Sequence, residues 1–278
     1  AKFGVNLVRF HQLDGDWSTP NIFQFTKGKR LDNTRQLDPE SMDRLDYLIH
    51  CLKQEGIYVY LDILTYRRFR TGDGVAEPEK LRPAARPYSN FDPRLIELQK
   101  EFCTQIWTHV NPYTGLAYKD DPVIVLSEIA NENEMFGELG GIFEPYRTQL
   151  ENRYLAWRRE RKLPEPELPV NFKVLDAELL EFVVETMKAY YTEMYDHLKE
   201  IGVRIPITGT NWQVGGAALL ESQRQFPFMD SHTYFYNWGW KPYEKRVMTD
   251  SMLGRLDPWY PSLTMMRVLD RPFFVSEW

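Results

Sequence analysis

At 278 residues the chain is long enough for one large α/β domain, and its 43% hydrophobic content can fill a core. A net charge of −6, from 40 acidic against 34 basic residues, offers no attraction to a polyanion, so nucleic acid is not an expected partner. No run of about 18 apolar residues is present to span a membrane, so no membrane partner is expected either.

The chain opens on a strand-like run, Val5 to Phe10, followed by a long polar loop that includes Asp14, Asp16 and Lys27 to Arg30. Asp38-Pro39 supplies a helix cap with proline at the first helical position, and Leu45, Leu48, Ile49 and Leu52 recur at helical spacing until Gly56. Ile57 to Leu64, rich in β-branched and aromatic residues, predicts a strand. The unit repeats: Asp92-Pro93 caps a helix with Leu95, Leu98, Phe102 and Ile106 on one face, and Pro122 to Ile129 follows as a strand. Cys51 and Cys103 sit at apolar positions of these helices and read as small hydrophobes.

Residues 137–175, charged and proline-bearing, read as an inserted excursion with a short helix around Leu150 to Arg161. Beyond it come a long helix from Asp176 to Ile201, a strand at Ile205–Thr210, a short helix at Ala217–Gln225, a strand at Phe228–Tyr234, a helix at Pro261–Leu269, and a strand from Pro272 into Glu277-Trp278. Six strands alternating with helices predict a parallel sheet covered by helices, and a (β/α)₈ barrel is the natural closure. A doubly wound sheet would place a glycine-rich phosphate turn after the first strand, and Arg9-Phe10-His11-Gln12 is not one. No signal peptide is visible ahead of the first strand, which leaves targeting open, and both ends abut strands, which predicts further barrel strands outside this segment.

Active sites of such barrels lie at the carboxyl ends of the strands. There the sequence places Arg9, His11, Asp62, Asn131, Glu132, Asn211, Trp212, His232, Tyr234 and Glu277. Glu132 and Glu277 each end an apolar run, where a buried charge needs a purpose or a partner. Two such carboxyls are what glycoside hydrolysis requires, one to protonate the leaving oxygen and one to attack the anomeric carbon. Asp62, Glu128 and Glu134 are rival acids. His11 and His232 are also candidate metal ligands, but no third His or Cys lies nearby at a ligand spacing, so no metal is expected.

These residues resemble clan A of the glycoside hydrolases, most closely the cellulase-like family 5. Asn131-Glu132 after the run Val123 to Ala130 is similar to the clan's Asn-Glu pair at the end of barrel strand four. Glu277 after Phe273 to Ser276 resembles the strand-seven nucleophile, Arg9 the arginine of strand two, and His232-Thr233-Tyr234 the His-x-Tyr of strand six. The resemblance implies one catalytic barrel over residues 1–278, strands two to seven, with strands one and eight outside. It implies a cellulase-like hydrolase, a retaining β-glycosidase of polysaccharide degradation, with Glu132 as acid/base and Glu277 as nucleophile. Substrate contacts are expected from Arg9, His11, Asn131, His232 and Tyr234 at the strand ends, and Trp212 and Trp278 are placed to stack on a sugar or to pack. No cofactor is expected, and a polysaccharide or oligosaccharide substrate suggests an extracellular or periplasmic setting. The family's histidine pair after strand three has no counterpart between Tyr58 and Arg68. The competing reading is a catalytically silent carbohydrate-binding barrel, in which the two glutamates face apart. Sugar identity and oligomeric state are not legible in the sequence.

Overall fold

In the computed structural model, residues 2–15, 17, 21–23, 25–26, 29–234 and 263–277 are described. Six strands run parallel: β1 (Leu7–Phe10), β2 (Tyr58–Leu64), β3 (Ile124–Ala130), β4 (Ile207–Thr208), β5 (Met229–His232) and β6 (Phe273–Glu277). β1 pairs with β2, β2 with β3, β3 with β4, and β5 with β6, always in parallel. Among the described residues no ladder joins β4 to β5, but just beyond β4 the Asn211 carbonyl accepts from His232 N–H at 3.0 Å. β4 is shorter than the predicted Ile205–Thr210 because Pro206 has no N–H for the ladder. At Gly209 a Cβ would lie 1.8 Å from Gln223 Oε1, so only glycine lets the chain pass there.

The helices follow their caps. Asp38 accepts from Ser41 N at 2.9 Å to start α1 (Pro39–Gln54), Asp92 from Leu95 N at 2.9 Å to start α2 (Pro93–Thr108), and Asp176 from Leu179 N at 2.8 Å to start α4 (Ala177–Glu200). The excursion carries α3 (Tyr146–Glu160), four residues earlier than the predicted start, and α5 (Ala217–Gln223) follows β4. Residues 263–265 are helical, and the start of the helix expected from Pro261 lies outside the described residues. Val59, Leu61 and Ile63 face outward into the core formed with Leu95, Leu98, Phe102 and Ile106 of α2. Cys103 is buried there, which pushes its thiol up to about 12, well away from a reactive thiolate.

The alternate residues face a polar interior. Tyr60 of β2 donates to Asp230 Oδ2 of β5 at 2.7 Å, and Arg9 of β1 donates to Glu277 Oε1 of β6 at 2.7 Å. Strands at opposite ends of the order therefore meet across one interior, which makes the sheet a curved barrel wall. Burial pushes the Asp230 carboxyl up to about 6, more than the hydrogen bonds from Tyr60 and Ser276 N pull it down.

The wall above β2 is tied from inside. Buried Asp14 accepts from the N–H groups of Thr65 (2.9 Å), Tyr66 (2.9 Å) and Arg67 (3.1 Å), and from the Thr65 hydroxyl. Arg67 is 1% exposed, lies against the rings of Phe23, Phe69 and Phe102, and donates to Thr34 O and Leu98 O.

Asp14→Ala orphans several buried donors and should lower stability by about 3 kcal/mol, read as a lower urea midpoint; an unchanged midpoint contradicts the clamp. Asp230 has a folded pKa above its ordinary 3.8, so its stability contribution is full below that value and is lost as pH rises toward about 6. Asp230→Asn should flatten the stability profile over that interval, and an unaltered slope contradicts the burial argument.

Candidate active site

Seven of the residues singled out in the sequence converge at the carboxyl ends of the strands: Arg9, His11, Asn131, Glu132, His232, Tyr234 and Glu277. One carboxylate oxygen each from Glu132 and Glu277, together with a ring nitrogen of His232, lie within 4.8 Å of one another. The side chains of the two glutamates are 18% and 25% exposed, open to a cleft but largely desolvated.

Glu277 is aimed inward by a register irregularity between Val275 and Glu277, which breaks the strict alternation that would turn it to the opposite face from Ser276. Its Oε1 accepts from Arg9 and lies 3.5 Å from both His11 Nε2 and His232 Nε2, while its Oε2 accepts from the Tyr234 hydroxyl. Burial pushes this carboxyl up, but the His232 charge and the Tyr234 and Arg9 hydrogen bonds outweigh it and hold Glu277 below its ordinary value. The Tyr234 phenol is pushed up by burial and by that same hydrogen bond, so it remains a donor.

Glu132 has a left-handed backbone, φ 47°, unusual for a residue with a side chain. Its N–H donates to Asn211 Oδ1 at 2.8 Å, and Asn211 Nδ2 in turn donates to Glu128 Oε2 at 2.8 Å and Asn131 Oδ1 at 3.0 Å. The Asn211 amide is thus locked in one orientation by the strand beside it. The Glu132 carboxylate meets His232 Nδ1 at 2.9 Å through Oε1 and Arg86 Nη1 at 3.6 Å through Oε2. Asn131 Oδ1 also accepts from Arg9 at 2.8 Å, which leaves its buried Nδ2 without a partner among the described residues and available to a ligand.

Below them lies a charged floor. Arg9 donates to Asp62, Glu128, Asn131 and Glu277; burial alone would loosen its proton, but Asp62, Glu128 and their neighbours hold it more firmly than usual. Glu128 is fully buried with Oε1 unpartnered among the described residues, and burial followed by the charge of Asp62 pushes its carboxyl well above its ordinary range. Of the rival acids, Asp62 and Glu128 therefore serve Arg9, with Asp62 Oδ2 also 2.7 Å from His11 Nδ1. Glu134 accepts from Gly137 N at 2.9 Å in a loop turn.

Trp212 packs, half-buried, against the hydrophobic core. Trp278, Trp238 and Trp240 lie outside the described residues. Two residues in the loop after β2 belong to the cleft although no sequence pattern points to them. Tyr66 packs edge-on to His11 at 5.5 Å and to the exposed Trp17 at 4.6 Å, and Arg86 covers its ring at 5.4 Å. Burial and the charge of Glu132 raise the Tyr66 phenol, with Arg86 opposing them.

Among the described residues, Glu132, His232 and Glu277 form the one group able to offer three ligand atoms to a metal ion. A divalent cation there would share Glu277 Oε1 with the Arg9 guanidinium, a like charge at 2.7 Å from that oxygen, which disfavours it.

No family model and no curated protein matches the sequence. Solved structures do. The endo-1,4-β-mannanase of Rhizomucor miehei matches over 100% of this chain and 78% of its own, at 14% identity and a TM-score of 0.55. The β-galactosidase of Bacillus circulans sp. alkalophilus matches over 83% of this chain and 36% of its own, at 14% identity and a TM-score of 0.52. An endo-β-1,4-mannanase of Thermotoga petrophila matches over 87% of this chain at 17% identity and a TM-score of 0.45; the chain spans 40% of its length, and 52% of a second mannanase structure from that organism. Several neighbours were solved with sugars or sugar-like ligands, among them maltose and mannosyl-fructose. The structural neighbours are mannanases, family 5 mannosidases, a β-galactosidase and an endo-glycoceramidase. The fold shared with the Rhizomucor mannanase and the Bacillus β-galactosidase is that of a (β/α)₈ barrel, of which six strands lie among the described residues.

Proposed function

We propose that residues 1–278 form one catalytic barrel unit of a glycoside hydrolase that cleaves β-linked polysaccharide or oligosaccharide by double displacement. The observation that carries the reading is the pair of carboxylates on two strand ends, with one oxygen of each within 4.8 Å. A carboxyl separation of about 5–5.5 Å suits direct attack and retention, whereas inversion needs about 6.5–9.5 Å to admit a water. A silent sugar-binding barrel has no need for two desolvated glutamates to face each other.

Glu277 is the nucleophile in this scheme. Arg9 and Tyr234 keep it ionised and fix both its oxygens, so one lone pair is presented to the anomeric carbon. Glu132, on the opposite side, gives its proton to the leaving oxygen as the C–O bond breaks and the bond to Glu277 forms. In the second step it takes a proton from the water that displaces Glu277. His232 lies between the two and aligns Glu132 through Nδ1. The Nδ2 of Asn131, without a partner among the described residues, would donate to a sugar 2-hydroxyl, a contact that strengthens as charge develops at the ring. The exposed Trp17 supplies an aromatic face for a sugar ring.

Activity assays on β-mannan, β-glucan, xylan and β-galactosides identify the sugar. Glu277→Ala should then abolish turnover of every substrate, with azide restoring it to give the inverted product. Glu132→Ala should lose roughly 10²–10⁴-fold on the natural polysaccharide yet still react with dinitrophenyl glycosides, stalling before hydrolysis until azide releases a retained product. Near-normal rates for both variants remove these residues from the chemistry. Chelator treatment should leave the rate unaltered; a loss restored by zinc would instead make Glu132, His232 and Glu277 a metal centre.

A further inference from the structure

Arg86 differs from Arg9 in how its charge is met. The loop between β2 and α2 delivers it through two buried alanines with left-handed backbones, Ala84 (φ 59°) and Ala85 (φ 49°). That region favours glycine, and the conformation is held by Ala84 N–H on Arg67 O and Ala85 N–H on Arg82 O, both at 2.8 Å. The resulting guanidinium is mostly buried, with its side chain 15% exposed. Nη2 donates to Thr65 O at 3.0 Å, the group lies over the Tyr66 ring, and buried Nε has no hydrogen-bond partner among the described residues. The carboxylate that faces it is Glu132, at 3.6 Å, outside hydrogen-bond distance.

The double-displacement scheme makes this pairing incomplete. Glu132 has to carry a proton when substrate is bound, because that proton goes to the leaving oxygen. It is then neutral, and among the described residues Arg86 is left with the Thr65 carbonyl and the Tyr66 side chain as its partners. The other site carboxylates, Asp62, Glu128 and Glu277, are engaged by Arg9. A largely buried cation without a counter-charge is unfavourable, and a ligand that brings the missing charge is favoured. His232, between the two glutamates, takes Oε1 of Glu132, while Arg86 approaches Oε2.

We propose that the site takes glycosides in which a sugar flanking the cleaved bond bears an anionic group, a carboxylate or a sulfate ester, with Arg86 as its counter-ion. This rests on the glycoside hydrolase reading above and names its substrate class.

The test uses the full chain and three matched oligosaccharides that differ only in the group borne by the sugars flanking the cleaved bond: a neutral hydroxymethyl, a carboxylate, or a sulfate ester. An anionic member should be cleaved with a kcat/KM about tenfold or more above the neutral one, and added salt should shrink that advantage. Whichever anion gains more identifies the natural group. Arg86→Met should bring the anionic-to-neutral ratio close to one, and Arg86→Lys should retain part of it. Equal or better cleavage of the neutral member by the unaltered chain at low salt overturns the proposal, whether or not the variants fold. A ratio unchanged in folded Arg86→Met overturns it as well. If none of the three is cleaved, the hydrolase reading fails by itself, and calorimetric titration of the same compounds still decides the anion question: tighter binding of an anionic member supports it, equal binding removes it.

Discussion

The Arg9 guanidinium joins the barrel wall to the chemistry above it. From β1 it reaches Asp62 on β2, Glu128 and Asn131 at the end of β3, and Glu277 on β6. A cation this buried is stable only when carboxylates surround it, and those carboxylates are tolerable inside only because the cation is there. Three carboxyls around one guanidinium cannot all be ionised without an excess of negative charge. Burial resolves the excess at Glu128, whose carboxyl is pushed well above its ordinary range, while Glu277 is held below its own. The same network that ties β1 to β6 therefore leaves the negative charge on Glu277.

Glu132 depends on the network through Asn211. Its Nδ2 faces Glu128 and Asn131, so its Oδ1 must face the Glu132 N–H, and that hydrogen bond supports the left-handed backbone which swings Glu132 into the cleft. Both glutamates are thus displaced from simple strand alternation, one by a left-handed turn and one by a register irregularity. Their approach to within 4.8 Å is a product of these local departures. Strain of this kind persists where surrounding hydrogen bonds over-determine it.

Much of this is legible in the residues. The pairs Asp38-Pro39 and Asp92-Pro93 announce α1 and α2 because a cap and a following proline act locally. Arg9, Glu132, His232 and Glu277 are legible because a polar residue ending an apolar run is costly to bury without a partner or a purpose. The start of α3 at Tyr146 is hidden, since its buried face of Tyr146, Leu150, Tyr154 and Trp157 is outnumbered by charged neighbours. Tyr66 and Arg86 escape the sequence for a deeper reason. Their positions come from long-range ties, the Asp14 clamp, the buried Arg67 and the left-handed alanines, and none of these leaves a periodic signal. Asn211 stands among the strand-end residues, but its role as the link between Glu128 and Glu132 requires knowing which strands are neighbours.

The central claim is that Glu132 and Glu277 act as a facing pair without a water between Glu277 and the sugar. The anomeric configuration of the first-formed product, followed by proton NMR on a β-linked substrate before mutarotation, tests it most directly. The β-anomer should appear first; initial release of the α-anomer would contradict the claim.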